Sequence, residues 1–348
     1  MKISVIFPYV MNLNGGNGGG ASSTLSLMQV VADRGHEVEC YLVGSSGPSE
    51  RKWGIAFHRV ESLVSPIHLI CDLVVLVLFD DRRKVMSQFR LSGKMKRAII
   101  YHNAVFDSGN KGLMHFFRRW ADTFFVVSAF PQKLAKNLGI SSVEVLRNQV
   151  APVFRHRAPI IRENVSLNFL FVGALVKEKG LPVLFDAFCL FADTHPQARL
   201  RIVGSSLLWS RNSPDFPLIQ HPQIHFVGEL GPEQIVDEYV RSSFVVLPSE
   251  MESCGLSVLD GMWFGCVPIV SNRGGLPEIV TDGVTGFVMA ELSVDGLVSK
   301  LKEAASLTEE GFLELQRSCI ASVSRTDWKD SAQVLERVVR RKRVFPWL

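Results

Sequence analysis

Between Phe244 and Met289 the chain alternates in a way few architectures accept. Phe244-Val245-Val246-Leu247 is a short apolar run that Pro248 ends, and a polar loop with Glu250, Glu252 and Gly255 follows. Leu256 to Phe264 has the spacing of a helix and carries Asp260. Val267 to Val270 is a second apolar run, feeding Ser271-Asn272-Arg273-Gly274-Gly275, and Pro277-Glu278 open another short helix. Strand–loop–helix repeated in this order predicts a parallel α/β sheet. Ligands of such sheets sit at the carboxyl ends of the strands, where both loops emerge.

Glu252 and Asp260 are eight residues apart, roughly 12 Å along a helix axis and less where the first part is loop. Carboxylates so spaced cannot share a proton. They can hold hydroxyls at two ends of one ligand. The helix amino end at Gly255 and Leu256 favours an anion, and Gly274-Gly275 let backbone amides come close. Hydroxyl-binding acids beside phosphate-binding amides suit a nucleotide sugar.

The remainder of the chain has the same grain. Lys2 to Pro8 predicts a first strand, followed by the glycine-rich Gly15–Ala21 with Gly16 inside it. A helix over Thr24–Arg34 would be capped by Ser22 or Ser23 and stopped by Gly35. Val38 to Val43 is the next strand. GGNGGG is not the GxGxxG fingerprint, and no acid closes the second strand, which argues against a nicotinamide-dependent oxidoreductase. Ile67 to Phe79 is about 13 residues long and contains Asp72, too short for a bilayer span of about 20, so it predicts a core strand. Ala98–Tyr101 ends in His102, which a strand's carboxyl end would present to a cleft. Asn168–Val172 ends in Gly173, then Lys177, Lys179 and Gly180 precede a helix from Pro182 to Phe191. A lysine there is a point charge suited to a diphosphate. Ile224–Val227 leads into Gly228-Glu229-Leu230. A last helix is expected over Ser331–Arg343.

Composition sets the outer limits. The 348 residues are 47% hydrophobic and 21% charged, enough for two domains with separate cores. The six cysteines form no CxxC pair and no metal-ligand spacing, and no Asp-x-Asp is present, so neither disulfides nor a metal are expected. Residues 1–150 hold 18 Lys and Arg against 11 Asp and Glu, net +7, while the remainder is net −3. A basic first half suits an anionic surface or acceptor, and Arg340-Arg341-Lys342-Arg343 before Phe345-Pro346-Trp347-Leu348 suits a membrane interface. No nucleic-acid partner is expected. The short apolar start is not a signal peptide, and a cytoplasmic protein, peripheral on the inner membrane face, is the reading.

PSEMESCGLSVLDGMWFGCVPIVSNRGGLPEIVTDGVTGFV resembles the donor-binding region of retaining family-4 glycosyltransferases of GT-B fold, the glycosyl transferases group 1. Glu252 falls on the first acid of that family's pattern and Asp260 where it usually has Glu; Cys254 replaces a usual Phe. Lys179 matches the lysine of its phosphate-binding turn, with Ala174 where Arg is common. Arg34-Gly35-His36-Glu37-Val38 is also similar. Asn148-Gln149-Val150-Ala151 departs from the usual Asn-Gly-Val-Asp.

The resemblance implies an α/β GT-B fold: two Rossmann-like domains facing across a cleft, with a C-terminal helix crossing back to the first. The domains would be 1–155 for the acceptor, 166–325 for the nucleotide sugar, and a crossover helix and tail at 326–348. It implies metal-independent, retaining transfer of a hexose-type sugar from a nucleotide diphosphate sugar to a glycan or lipid-linked acceptor, as in polysaccharide or lipopolysaccharide assembly. No cofactor is implied beyond that co-substrate. His102, Lys179 and Glu252 would be catalytic. Gly16, Gly173, Lys179, Leu230, Glu252, Cys254, Gly255, Leu256, Asp260, Gly274 and Gly275 would bind the donor. The alternative within the same fold is a catalytically weak nucleotide-sugar-binding subunit.

Overall fold

The computed structural model describes residues 1–7, 19–61, 66–78, 89–91, 94–102, 119–205 and 218–341. The chain divides into two units. Among the described residues, 1–7, those from Gly19 to Asn148 and those from Asp327 form the first; Gln149–Thr326 forms the second.

In the first unit, β1 (Lys2–Phe7), α1 (Gly19–Asp33), β2 (Glu37–Val43), β3 (Glu50–Lys52), β4 (Ile55–Val60), β5 (Ile67–Leu69), β6 (Leu73–Leu78), β7 (Phe89–Leu91), β8 (Lys96–Tyr101), β9 (Thr123–Val126), α2 (Ala129–Asn137) and β10 (Val143–Val145) follow in order. Eight strands form one sheet, β10-β9-β8-β6-β1-β2-β4-β3, and β5 pairs with β7 apart from it. Every pairing in the large sheet is parallel except β3 with β4. Strands buried on both faces must be apolar throughout, and residues 73–77 are.

The apolar window 67–79, expected to hold a core strand, holds β5 and the buried core strand β6. Asp72 interrupts it by taking the Lys2 amide on its carboxylate at 2.8 Å, while its carbonyl accepts the Lys96 amide at 2.9 Å, so it fixes the start of β6 between two neighbours. The first helix begins at Gly19, earlier than expected. Ser23 and Thr24 lie inside it, and their hydroxyls serve other residues instead of capping. Gly35, at φ +84°, ends the helix region as expected.

Between β3 and β4 the turn is Trp53-Gly54, with φ of +53° and +73°. Two left-handed residues make the turn that matches strand twist, normally Asn-Gly. Trp53 is the one non-glycine at positive φ among the described residues. A left-handed side-chain-bearing residue costs about 1 kcal/mol or more.

In the second unit, α3 (Pro152–Arg155), β11 (Asn168–Val172), α4 (Leu181–Ala192), β12 (Arg199–Val203), β13 (Ile224–Gly228), α5 (Pro232–Arg241), β14 (Phe244–Leu247), α6 (Leu256–Trp263), β15 (Val267–Ser271), β16 (Phe287–Met289), α7 (Val294–Ala305) and α8 (Glu309–Ser324) follow. The sheet order is β13-β12-β11-β14-β15-β16, all parallel. This is the 3-2-1-4-5-6 order of a dinucleotide-type fold, and it reverses between β11 and β14. Phe169 stacks on Phe244 at 5.0 Å across that junction, with Phe188, Phe191 and Phe312 packed around them. Ser293 and Thr308 cap α7 and α8, accepting amides of Gly296 and Gly311 at 3.1 Å.

Residues 151–165 are tied down along the second unit. Trp263 donates its indole N–H to Phe154 and Arg157 carbonyls at 3.1 Å, and Arg162 donates to the Tyr239 and Phe264 carbonyls. The final helix, α9 (Trp328–Arg340), starts three residues before the expected Ser331, because Asp327 caps it through the Lys329 amide at 3.0 Å. It belongs to the first unit. Glu336 on it accepts from Arg34 at 2.7 and 3.1 Å and lies 3.0 Å from His36. Arg34, then His36, hold Glu336 down at about 2. Among the described residues, no helix is long and apolar enough to cross a membrane.

Candidate active site

The reversal between β11 and β14 opens a crevice at the strands' carboxyl ends, and the second unit's charged loops emerge there. From β11, Gly173 leads to a 3-10 turn, Lys177–Lys179, ended by Gly180 at φ +73°. A Cβ at Gly180 would lie 1.8 Å from the Pro248 carbonyl oxygen, so only glycine lets this turn reach the β14 loop. The Glu250 amide donates to the Glu178 carbonyl at 2.9 Å. The two loops are therefore stitched by backbone before any side chain is counted.

Lys179 Nζ donates to Glu252 Oε2 in a half-buried ion pair. The Glu252 carbonyl accepts the Gly275 amide at 2.8 Å, and a Cβ at Gly274 would lie 1.9 Å from that carbonyl. Gly255, at φ +85°, turns the chain into α6, with Cys254 buried before it and Leu256 as first helical residue. Ser271 donates its hydroxyl to the Ser249 carbonyl at 2.6 Å, tying the ends of β14 and β15. The Ser249 hydroxyl is buried with no hydrogen-bond partner among the described residues. The crevice thus gathers one ammonium, one carboxylate, a helix amino end and close-packed glycines: groups for a phosphate beside groups for hydroxyls.

Asp260 lies on α6. Its Oδ1 accepts the Ala151 amide at 3.2 Å, and burial pushes its carboxyl up to about 7. Leu230 follows β13, where Gly228 is at φ +87° and Ser205 donates to Glu229 at 3.2 Å. In the first unit, His102 is buried after β8 with Nε2 2.7 Å from Thr24 Oγ1. Burial pushes its imidazole down to about 3, so it is neutral at physiological pH. Beside Thr24, Ser23 donates to Asn148 Oδ1. Gly16 lies outside the described residues.

The structure brings Lys179, Glu252, Gly255, Leu256, Gly274 and Gly275 into one constellation with Gly173. His102 is a separate feature of the first unit. Sequence reasoning missed the Glu250–Glu178 bond, Ser249 and Thr24. The first is backbone and leaves no side-chain trace. Pro248-Ser249 at a strand end was the available signal for the second.

Residues 154–322 match the family model described as Glycosyl transferases group 1. That match covers just under half of the chain. Among curated proteins similar to it is a glycogen synthase of Pseudomonas aeruginosa, 29% identical over 181 residues, which are 50% of this chain and 34% of that protein. The chain thus spans about a third of the length of that relative. Sucrose-phosphate synthase from Thermosynechococcus elongatus superimposes with a TM-score of 0.74 at 15% identity, covering 97% of this chain and 98% of that one. The Anabaena protein HepE, solved in complex with UDP-glucose, gives 0.68 at 15% identity, covering 97% and 99%. These likenesses establish the GT-B type of α/β fold over nearly the whole chain.

Proposed function

We propose that the protein is a glycosyltransferase that moves a hexose-type sugar from a nucleotide diphosphate sugar to a glycan or lipid-linked acceptor, without a metal and with retention of anomeric configuration. The Lys179–Glu252 pair at the β11/β14 reversal carries this reading. Each partner holds the other now; a sugar diphosphate would give each a better one, phosphate oxygens for the ammonium and sugar hydroxyls for the carboxylate. HepE, whose complex with UDP-glucose shares this fold, supports a nucleotide-sugar donor.

In the proposed reaction the acceptor hydroxyl oxygen bonds to the anomeric carbon on the face from which the diphosphate departs. The carbon–oxygen bond to the diphosphate breaks, and the departing phosphate oxygen takes the acceptor's proton. Lys179, the α6 amino end and the Gly274-Gly275 backbone stabilise the leaving charge; preorganised donors of this kind act where charge develops. Glu252 orients the sugar. His102 is assigned to the reacting region as a neutral imidazole, able to donate or accept one hydrogen bond but not to supply a cation. The acceptor belongs to cell-surface polysaccharide or glycolipid assembly, and the basic first half suits an anionic lipid face on the cytoplasmic side.

Lys179→Ala should lower transfer from a UDP-sugar roughly 10²- to 10³-fold with the melting temperature little changed. Unchanged turnover would remove Lys179 from the mechanism. A second reading, a binding subunit without turnover, is favoured by the commitment of Asp260 to Ala151. A thermal-shift screen of nucleotide sugars run beside a transfer assay separates the two: stabilisation by a donor with no transfer to any acceptor selects the subunit.

A further inference from the structure

The β3–β4 hairpin at the edge of the first sheet is built unlike an ordinary edge. Its tip is Arg51-Lys52-Trp53-Gly54, at the amino ends of the parallel strands, opposite the ends that lead to His102. A positive-φ turn position favours Gly or Asn, and here it holds the bulkiest side chain available. Strain kept at an exposed turn asks for a use.

The tip is also held rigid. Lys52 Nζ sits 4.4 Å over the indole, Arg51 Nη1 donates to the Gly54 carbonyl at 3.3 Å, and Trp53 meets Phe57 edge-on at 6.3 Å. A Cβ on Gly54 would sit 3.3 Å from Ala32 of α1, so the turn rests on the helix. Trp53 nevertheless remains 40% exposed. Glu50 is engaged by Arg59 at 2.5 Å, and Arg51 and Lys52 adjoin the indole in the chain. Packing alone would be met by a residue at ease in the turn. Blocking edge pairing would be met by the charges without the ring.

We propose that this hairpin tip is a docking element for an anionic lipid surface. The indole lies at headgroup depth, where an amphipathic ring is at home, and Arg51 and Lys52 meet lipid phosphates. Residues 1–150 carry net +7, a charge of the sign that favours the same partner. A preformed tip loses little freedom on binding, which is what a small contact needs. The inference rests on the reading of the first half as facing an anionic lipid surface and names the element that would meet it; no residue of the β11/β14 crevice takes part.

The test is co-sedimentation of the full chain with vesicles of phosphatidylcholine containing phosphatidylglycerol, against phosphatidylcholine alone, at low and high salt. Binding should require the anionic lipid and weaken with salt. Trp53→Gly relaxes the turn, so it should melt no lower than the parent while binding roughly tenfold more weakly. R51Q/K52Q should reduce the anionic preference by a similar factor. Three results overturn the proposal: no vesicle binding by the parent, binding unchanged in Trp53→Gly, or equal binding to neutral vesicles. A Trp53→Gly chain that melts several degrees lower with binding intact would make the indole a packing residue for Phe57.

Discussion

Asp260→Asn should stabilise the second unit, and by an amount that grows with pH. Asp260 sits on α6 with its carboxyl enclosed, accepting one N–H from Ala151. Burial raises it from 3.8 to about 7. The folded state therefore holds a proton that the unfolded chain releases above its ordinary value. Where the folded form binds more protons, stability falls as pH rises. The loss begins near pH 4 and is complete above about 7. Three units at about 1.4 kcal/mol each amount to about 4 kcal/mol. Asparagine keeps the acceptor for Ala151 and cannot ionise. Asp260→Asn should thus match the parent near pH 4 and exceed it by up to about 4 kcal/mol at pH 8. For a unit of this size that is about 10 °C in melting temperature. Melting curves of both proteins from pH 4 to 8 measure the difference directly. A constant difference across that range, or a variant less stable at pH 8, would refute a buried, proton-holding carboxyl.

Gly180→Ala should destabilise the second unit by about 3 kcal/mol or more, since a methyl would meet the Pro248 carbonyl at 1.8 Å in a left-handed position; chemical denaturation that finds under 1 kcal/mol would show the two loops are not stitched. Glu336→Gln should lower the first unit's melting point by a few degrees at pH 7. Because Arg34 and His36 hold Glu336 down at about 2, that stabilisation is present above the ordinary glutamate value and lost as pH falls from about 4.5 toward 2, so the two curves should converge in acid. Nitrogen NMR of labelled histidine should find His102 neutral from pH 8 down to about 4; a midpoint near 6.5 would mean that its ring is open to water.

How far the sequence could be read depended on whether a feature was carried by side-chain type or by environment. Phe244-Val245-Val246-Leu247 and Val267 to Val270 announced buried parallel strands, because a strand covered on both faces has no polar position to hide. Gly274-Gly275 announced a close approach, and the Glu252 carbonyl is what approaches. Lys179 and Glu252 were legible as charges at strand ends, but their pairing was not, since it arises from the β11/β14 adjacency. Asp260 shows another limit. Its type and spacing suggest a hydroxyl ligand, and the amide it accepts comes from a segment 109 residues earlier, which spacing does not announce. Ser23 looked like a cap because a local amide is the commonest partner for such a hydroxyl; Asn148 for Ser23 and His102 for Thr24 are remote partners that local patterns cannot announce. The strain at Trp53 is likewise a backbone property that its sequence neighbours do not reveal.

The contact of Glu336 with Arg34 and His36 joins positions some 300 residues apart. A growing polypeptide therefore finishes its second unit while the first still lacks α9. A nascent chain emerging from the ribosome must keep the α1 surface out of trouble until α9 is made. Nonsense mutations upstream of α9 would harm the half that was translated first.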